Sequence, residues 1–227
     1  MPGMHLPNLL GRLAVAAATA LVIVALTIVP FLSPAWIAFE QDRASAAEWT
    51  GFAPDELRSV TNATLHDLVV GPPAFDATLD GIPVLKPSEQ SHMRDVRGVF
   101  AGFYMVAIAG GAVLAGAAFL TRGSPGGRAT LWRAIRRGAS WLAVGIVVAG
   151  AVTAVAFDAA FEVFHRLFFQ AGTYNFDSRT DRLVQLFPDQ FWSETAMVVG
   201  AVVLLAAVGV AVVAGRRVGR LPEEGAA

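Results

Sequence analysis

The chain of 227 residues is 55% hydrophobic and only 15% charged, with a mean hydropathy of +0.56. Soluble domains average about 45–50% apolar with a quarter charged, so this balance excludes an ordinary soluble domain and implies a membrane protein. A net charge of −1 gives nucleic acid or any other polyanion no footing, and the absence of cysteine excludes disulfides, thiolate metal sites and a cysteine nucleophile.

In chain order, the first element is an apolar run over residues 13–31. A hydrocarbon core about 30 Å thick needs roughly 20 mostly apolar residues, so this run qualifies as a membrane span. Ala44-Ser45-Ala46 matches a small-residue cleavage pattern, but it lies beyond Glu40, Asp42 and Arg43, and the run is long for a signal-peptide core. It reads as a retained helix. Residues 35–95 follow. Within them "DELRSVTNATLHDLV", opened by Pro54-Asp55, carries Leu57, Val60, Leu65 and Leu68 at helical spacing and predicts an amphipathic helix with a structural His66. "VVGPPAFDATLDGIPVLKPSEQ" is rich in Pro and Gly and predicts turns with short extended pieces. The sequon Asn62-Ala63-Thr64 is a chance match. A cap of this size buries little core alone and is expected to lean on the helix ends.

Three more spans are predicted at about 99–120, 141–161 and 196–215. The connecting residues 122–140 hold Arg122, Arg128, Arg133, Arg136 and Arg137 with no acid, and the tail opens with Arg216, Arg217 and Arg220. Cation bias therefore puts the 122–140 loop and both termini in the cytoplasm, with 35–95 and 166–193 outside. His5, in the N-terminal tail, is assigned no role. The fold class expected is an all-α membrane protein: a single domain of four transmembrane helices with a small extracytoplasmic cap.

Chemistry-bearing residues gather at the outer end. In "FDAAFEVFHRLFF", Asp158, Glu162 and His165 are spaced i, i+4, i+7 and share one helix face. If the span ends near Phe157, the acids are ordinary interfacial groups; if it runs deeper, they are candidates for function. Rising 1.5 Å per residue from Ser140, a continuous helix brings His165 up by about 37 Å, to the outer interface. His92, in "SEQSHMRDVRGVF", precedes the second span and reaches the same level, with Glu89 and Asp95 three residues to either side. Imidazoles suit proton transfer near neutral pH, and a carboxylate on one ring nitrogen would fix the tautomer. The pair also suits zinc, but no HExxH-type arrangement is present, so no metal is expected. The phenylalanines around His165 read as interfacial anchors or as a wall for acyl chains.

"HMRDV", "FEVFHRLFF" and "YNFDSRTDRLVQLFPDQFW" together resemble the lipoprotein intramolecular transacylases, small four-helix integral membrane proteins, although Tyr174 stands where that pattern has tryptophan. The resemblance implies an enzyme of the bacterial cell membrane with its active site at the outer leaflet. It would move the sn-2 acyl chain of a lipoprotein's diacylglyceryl group onto the α-amino group of the N-terminal cysteine, leaving a lyso-form lipoprotein. No cofactor is implied; the partners are the membrane-anchored diacylated lipoprotein and the phospholipid bilayer. His92 and His165 would be catalytic, with Asp95, Glu162, Asp158 and Glu89 in support. Phe161, Phe164, Phe168, Phe169, Tyr174 and Phe176 would line the substrate site. Two other readings compete: a non-catalytic membrane subunit that docks partners on its cap, and a small transporter coupled through Asp158 and Glu162. The transporter lacks an internal repeat and a broken-helix signature. Nothing in the sequence selects an oligomeric state.

Overall fold

The computed structural model describes residues 9–220. His5 and both chain ends, with the sidedness expected of them, lie outside these residues. The elements in chain order are α1 (Leu9–Ile28), a 3-10 turn (Val29–Leu32), α2 (Pro34–Arg43), α3 (Ala46–Thr50), α4 (Pro54–Val69), β1 (Thr78–Leu79), β2 (Ile82–Pro83), α5 (Pro87–Thr121), α6 (Pro125–Val155), α7 (Phe157–Phe168), α8 (Arg182–Leu186) and α9 (Asp189–Gly219). Four of these segments are long and apolar enough to cross a membrane: Leu9–Leu32, Pro87–Thr121, Pro125–Val155 and Asp189–Gly219. The all-α, four-span class read from composition and periodicity is therefore the observed one.

Several boundaries follow from local chemistry. Pro30 ends α1, and Ser33 caps α2, its Oγ accepting from the Trp36 amide at 3.3 Å with Pro34 in the first turn. α4 and α5 open on the same device, proline in the first position and glutamate in the third. The Glu56 carboxylate accepts from the Ala53 amide at 2.8 Å, and that of Glu89 from the Lys86 amide at 2.7 Å. The hairpin β1–β2 pairs Leu79 with Ile82 across Asp80-Gly81, both of which have positive φ (51° and 77°). That is what a right-twisted two-residue turn demands and what Asp-Gly supplies.

The chain divides into two compact units, residues 1–27, 103–151 and 200–227, and residues 28–102 and 152–199. In the first, large apolar side chains such as Ile108, Val144, Val148 and Leu205 point outward, as suits a surrounding of lipid. The interior is made of small and branched residues: Val15, Ala117, Leu131 and Ala134 cluster, and Ala139, Ala207 and Ala214 are fully enclosed. A Cβ at Gly138 would overlap the Ala16 carbonyl, so α1 and α6 touch backbone to backbone there. Buried threonines satisfy themselves within their helices; Thr19 donates to Val15 O and Thr121 to Ala117 O, at 2.8 and 2.7 Å.

The second unit contains the cap and has its own core of Ala46, Leu57, Val60, Phe75, Val84, Leu85, Met93, Leu183 and Leu186. α4 presents Leu57, Val60 and Leu65 inward, as its spacing predicts. Buried polar ties join segments distant in sequence. Gln41 Nε2 donates to Thr61 Oγ1 and Leu186 O, at 3.0 and 2.9 Å. The second oxygen of Glu89 accepts from the Leu183 amide at 2.6 Å.

The helix from Pro125 ends at Val155 rather than continuing to Phe161. Ala156 leaves the helical region (φ −144°, ψ 56°) and α7 begins at Phe157. The change of side-chain pattern accounts for it. α6 is apolar on all sides as it approaches Val155, whereas α7 is amphipathic, with Asp158 in its positively polarised first turn. A helix of one kind suits lipid, and one of the other suits a lipid–water boundary.

Candidate active site

His92 stands in the second turn of α5 and His165 in the last turn of α7, both within the second unit. His165 is the one residue of α7 that is buried. The two are 8% exposed or less, with ring centroids 6.0 Å apart and ring planes 22° from parallel. Aromatic rings enclose them. Phe169 lies 4.8 Å from His92 and 5.5 Å from His165, and Phe176 is 5.4 Å from His92. Phe161, Tyr174 and Phe164 flank His165 at 4.1, 5.0 and 5.5 Å.

The imidazoles differ in their hydrogen bonding. His165 Nδ1 lies 2.8 Å from the Phe161 carbonyl. A carbonyl only accepts, so Nδ1 holds the hydrogen and, in the neutral ring, Nε2 holds the lone pair. This assigns His165 the tautomer of a base presented through Nε2. His92 Nδ1 is buried with no hydrogen-bond partner among the described residues, an arrangement that costs about 1–3 kcal/mol.

The four carboxylates named from sequence stand in four different places, and none hydrogen-bonds an imidazole. Glu89 is fully buried, with its two oxygens taken by the Lys86 and Leu183 amides. It binds the α8 segment to the start of α5. Asp95 is exposed on α5. Asp158 is exposed on α7 and stands apart from the ring cluster. Glu162 pairs with Arg166 at 2.7 Å and accepts from the Tyr174 hydroxyl at 3.3 Å. The hydrogen bond from Arg166 holds the Glu162 carboxyl below the usual carboxylate range. Glu162 thus reaches His165 through the Tyr174 ring. Arg166 went unread in the sequence, although a Glu–Arg pair at i, i+4 was the available signal.

Of the six predicted lining residues, Phe161, Phe164, Phe169, Tyr174 and Phe176 contact an imidazole ring. Phe168 instead packs on Phe164 at 5.0 Å and is half exposed, with Val163 and Leu167 exposed on the same helix. Among the described residues no group of three His, Asp or Glu side chains is gathered as a metal would require. The arrangement offers two close imidazoles in a low-dielectric aromatic setting, one with a defined basic nitrogen, which is equipment for moving one proton between two sites.

Residues 13–192 match the family model described as lipoprotein intramolecular transacylase Lit. The chain is similar in fold to the in meso structure of the membrane integral lipoprotein intramolecular transacylase from Bacillus cereus, with a TM-score of 0.75 at 18% identity over 93% of this chain and 95% of that one. Two further structures of that protein, with one histidine replaced by arginine or by alanine, match at TM-scores of 0.62 and 0.64 and 19% identity, over 93% of this chain and 92% of each. No curated protein matches significantly.

Proposed function

The chain belongs to the lipoprotein intramolecular transacylase family, and from that premise we propose that it transfers the sn-2 acyl chain of a diacylated lipoprotein to the α-amino group of its N-terminal cysteine, at the outer leaflet of a bacterial cell membrane. The observation that carries the reading is the buried pair His92–His165, in which His165 Nδ1 is committed to a carbonyl. The amine of the cysteine, once neutral, attacks the ester carbonyl carbon and passes a proton to His165 Nε2. The resulting tetrahedral carbon expels the glycerol sn-2 oxygen, which takes a proton back with His92 assisting at that oxygen. One N–C bond forms, one C–O bond breaks, and the products are an amide and a free sn-2 hydroxyl. Amine and alkoxide are bonded to one carbon, so two imidazoles 6.0 Å apart are spaced to attend to one each.

Because donor and acceptor belong to one molecule, proximity supplies much of the rate, and the protein mainly has to fold the lipid head and handle the proton. The exposed apolar side chains of α7, Val163, Phe164, Leu167 and Phe168, give an acyl chain a surface on which to lie beside the imidazoles. Asparagine approximates imidazole in size but cannot accept the proton. His92→Asn and His165→Asn should therefore each lower N-acylation by about 10²-fold or more while membrane abundance holds. The assay is mass spectrometry of a lipoprotein's N-terminal peptide from cells lacking other N-acylating enzymes, with the wild-type gene, each variant or no gene. Lyso-form, N-acylated peptide from either variant at more than about a tenth of the wild-type level would exclude the two-histidine mechanism. Its absence with the wild-type gene would exclude the activity itself.

A further inference from the structure

Net charge conceals a segregation: every carboxylate among the described residues lies in the second unit, and the described part of the first unit carries arginines alone. In that first unit, α1 and α6 bound a cleft of about 220 Å³ lined by Arg12, Thr130, Arg133, Ala134 and Arg137. Arg133 and Arg137 are one turn apart on α6, and Arg12 comes from the facing helix. The close approach of Gly138 to the Ala16 backbone fixes the helix spacing one turn from Arg12, so the cleft is a product of tight packing. Among the described residues none of the three arginines has an ion-pair partner; Arg133 donates only to the Thr130 hydroxyl, at 3.4 Å. Three guanidiniums gathered without a carboxylate repel one another, and the arrangement is stabilised when an anion enters. Guanidinium forks match phosphate oxygens bidentately, and a neighbouring hydroxyl adds a further donor.

We infer that this cleft binds the phosphodiester head of an anionic phospholipid. Several observations select a lipid over a free anion. The flanking surface is apolar and outward-facing, with Leu9, Leu10, Leu13 and Trp141 exposed, so acyl chains have a place beside the head. Trp132, of the kind that settles at membrane interfaces, lies on the same stretch of α6, with the Arg217 guanidinium 6.0 Å from its ring. The volume is several times the roughly 30 Å³ share of one water, enough for a phosphate group. By cation bias the site faces the cytoplasmic leaflet, opposite to the leaflet proposed for the acyl transfer. It is a second lipid site, for a lipid that is not the substrate.

The test is native mass spectrometry of the full-length protein in detergent with equal amounts of phosphatidylglycerol and phosphatidylcholine. Wild-type protein should retain phosphatidylglycerol preferentially, and each arginine neutralised should lower that preference about fivefold. Arg133→Gln with Arg137→Gln should therefore lower it by about 25-fold, and Arg12→Gln by about fivefold from the opposite helix, while Arg220→Gln, outside the cleft, should not change it. Melting temperatures in lipid-free detergent should not fall in any variant, because neutralising a guanidinium relieves repulsion. Wild-type protein that holds both lipids equally, or variants with undiminished preference, would overturn the site. Displacement of phosphatidylglycerol by an equal concentration of inorganic phosphate would reassign the cleft to the free anion and overturn the lipid assignment.

Discussion

His165 and His92 occupy similar aromatic surroundings, yet only one has its tautomer set by a protein group. The Phe161 carbonyl does for His165 what a carboxylate does in a serine hydrolase triad, directing the lone pair to Nε2 without adding a negative charge inside the ring cluster. The carboxylates are consequently expected to contribute little to the chemical step. Asp95 is exposed and makes no hydrogen bond to His92, so Asp95→Asn should retain wild-type turnover within about threefold, far from the ~10⁴-fold loss of a triad carboxylate. Glu162 meets His165 through the Tyr174 ring. Tyr174→Phe, which frees Glu162 from the hydroxyl but keeps the ring on His165, should likewise keep kcat within about threefold, whereas Tyr174→Ala removes a wall of the site and should lower kcat by about tenfold or more. Measuring kcat for Asp95→Asn, Tyr174→Phe and Tyr174→Ala at equal abundance checks all three; a Tyr174→Phe variant as slow as Tyr174→Ala would give the hydroxyl a direct role.

At the scale of elements, Glu89 and α7 matter most. Glu89 joins the start of α5 to the α8 segment through two backbone amides. Glu89→Gln keeps the size but turns one acceptor into a donor facing an N–H, which should cost the cap about 1–3 kcal/mol. A lowered melting temperature, with faster proteolysis in residues 170–186, is the expected result; unchanged values for both would deny the tie any weight. The same segment is held by Lys86–Asp181 at 2.6 Å. Lys86, with the Asp177 amide, depresses the Asp181 pKa. A depressed carboxyl contributes stability that is present above its unfolded value of about 3.9 and is lost as pH falls through the lower folded value. Loosening of this segment in acid belongs in that window. On α7, Phe168 is half exposed and packs on Phe164 rather than on an imidazole. Phe168→Ala should change acyl-chain preference or KM more than abundance, since it narrows the lipid-facing stripe without opening a core cavity; parallel loss of both would make it an anchor.

Over the whole molecule, the separation of charge is the feature with the widest consequence. Among the described residues, one unit carries arginines without carboxylates and the other holds every acid. Cation bias then predicts cytoplasmic activity for a reporter fused at Gly126 and outer activity for one at Asp80. An outer signal at Gly126 would invert the sidedness proposed for both the acyl transfer and the arginine cleft. The outward-facing branched side chains of the first unit and the enclosed alanines and glycines have one explanation, because helices in lipid gain most from close backbone contact and nothing from hiding leucine.

What the sequence determined by itself was whatever local pattern controls. Uniform apolarity over about 20 residues marks a span. The spacing of Leu57, Val60 and Leu65 orients α4. Proline followed two residues later by glutamate opens α4 and α5, and Asp80-Gly81 turns the hairpin. The pairing of His92 with His165 was legible only as far as both sit beside the outer ends of predicted spans. Tertiary structure decided the rest. The break at Ala156 lacks a proline or glycine to announce it; the change from an all-apolar to an amphipathic pattern brackets it near Phe157, and only the folded chain fixes the residue. The identity of each carboxylate's partner was equally hidden. Glu89 is three residues from His92 in the chain, yet its oxygens go to the Lys86 and Leu183 amides, because a buried carboxylate takes the nearest unsatisfied donors, and Leu183 becomes near only when the chain has folded.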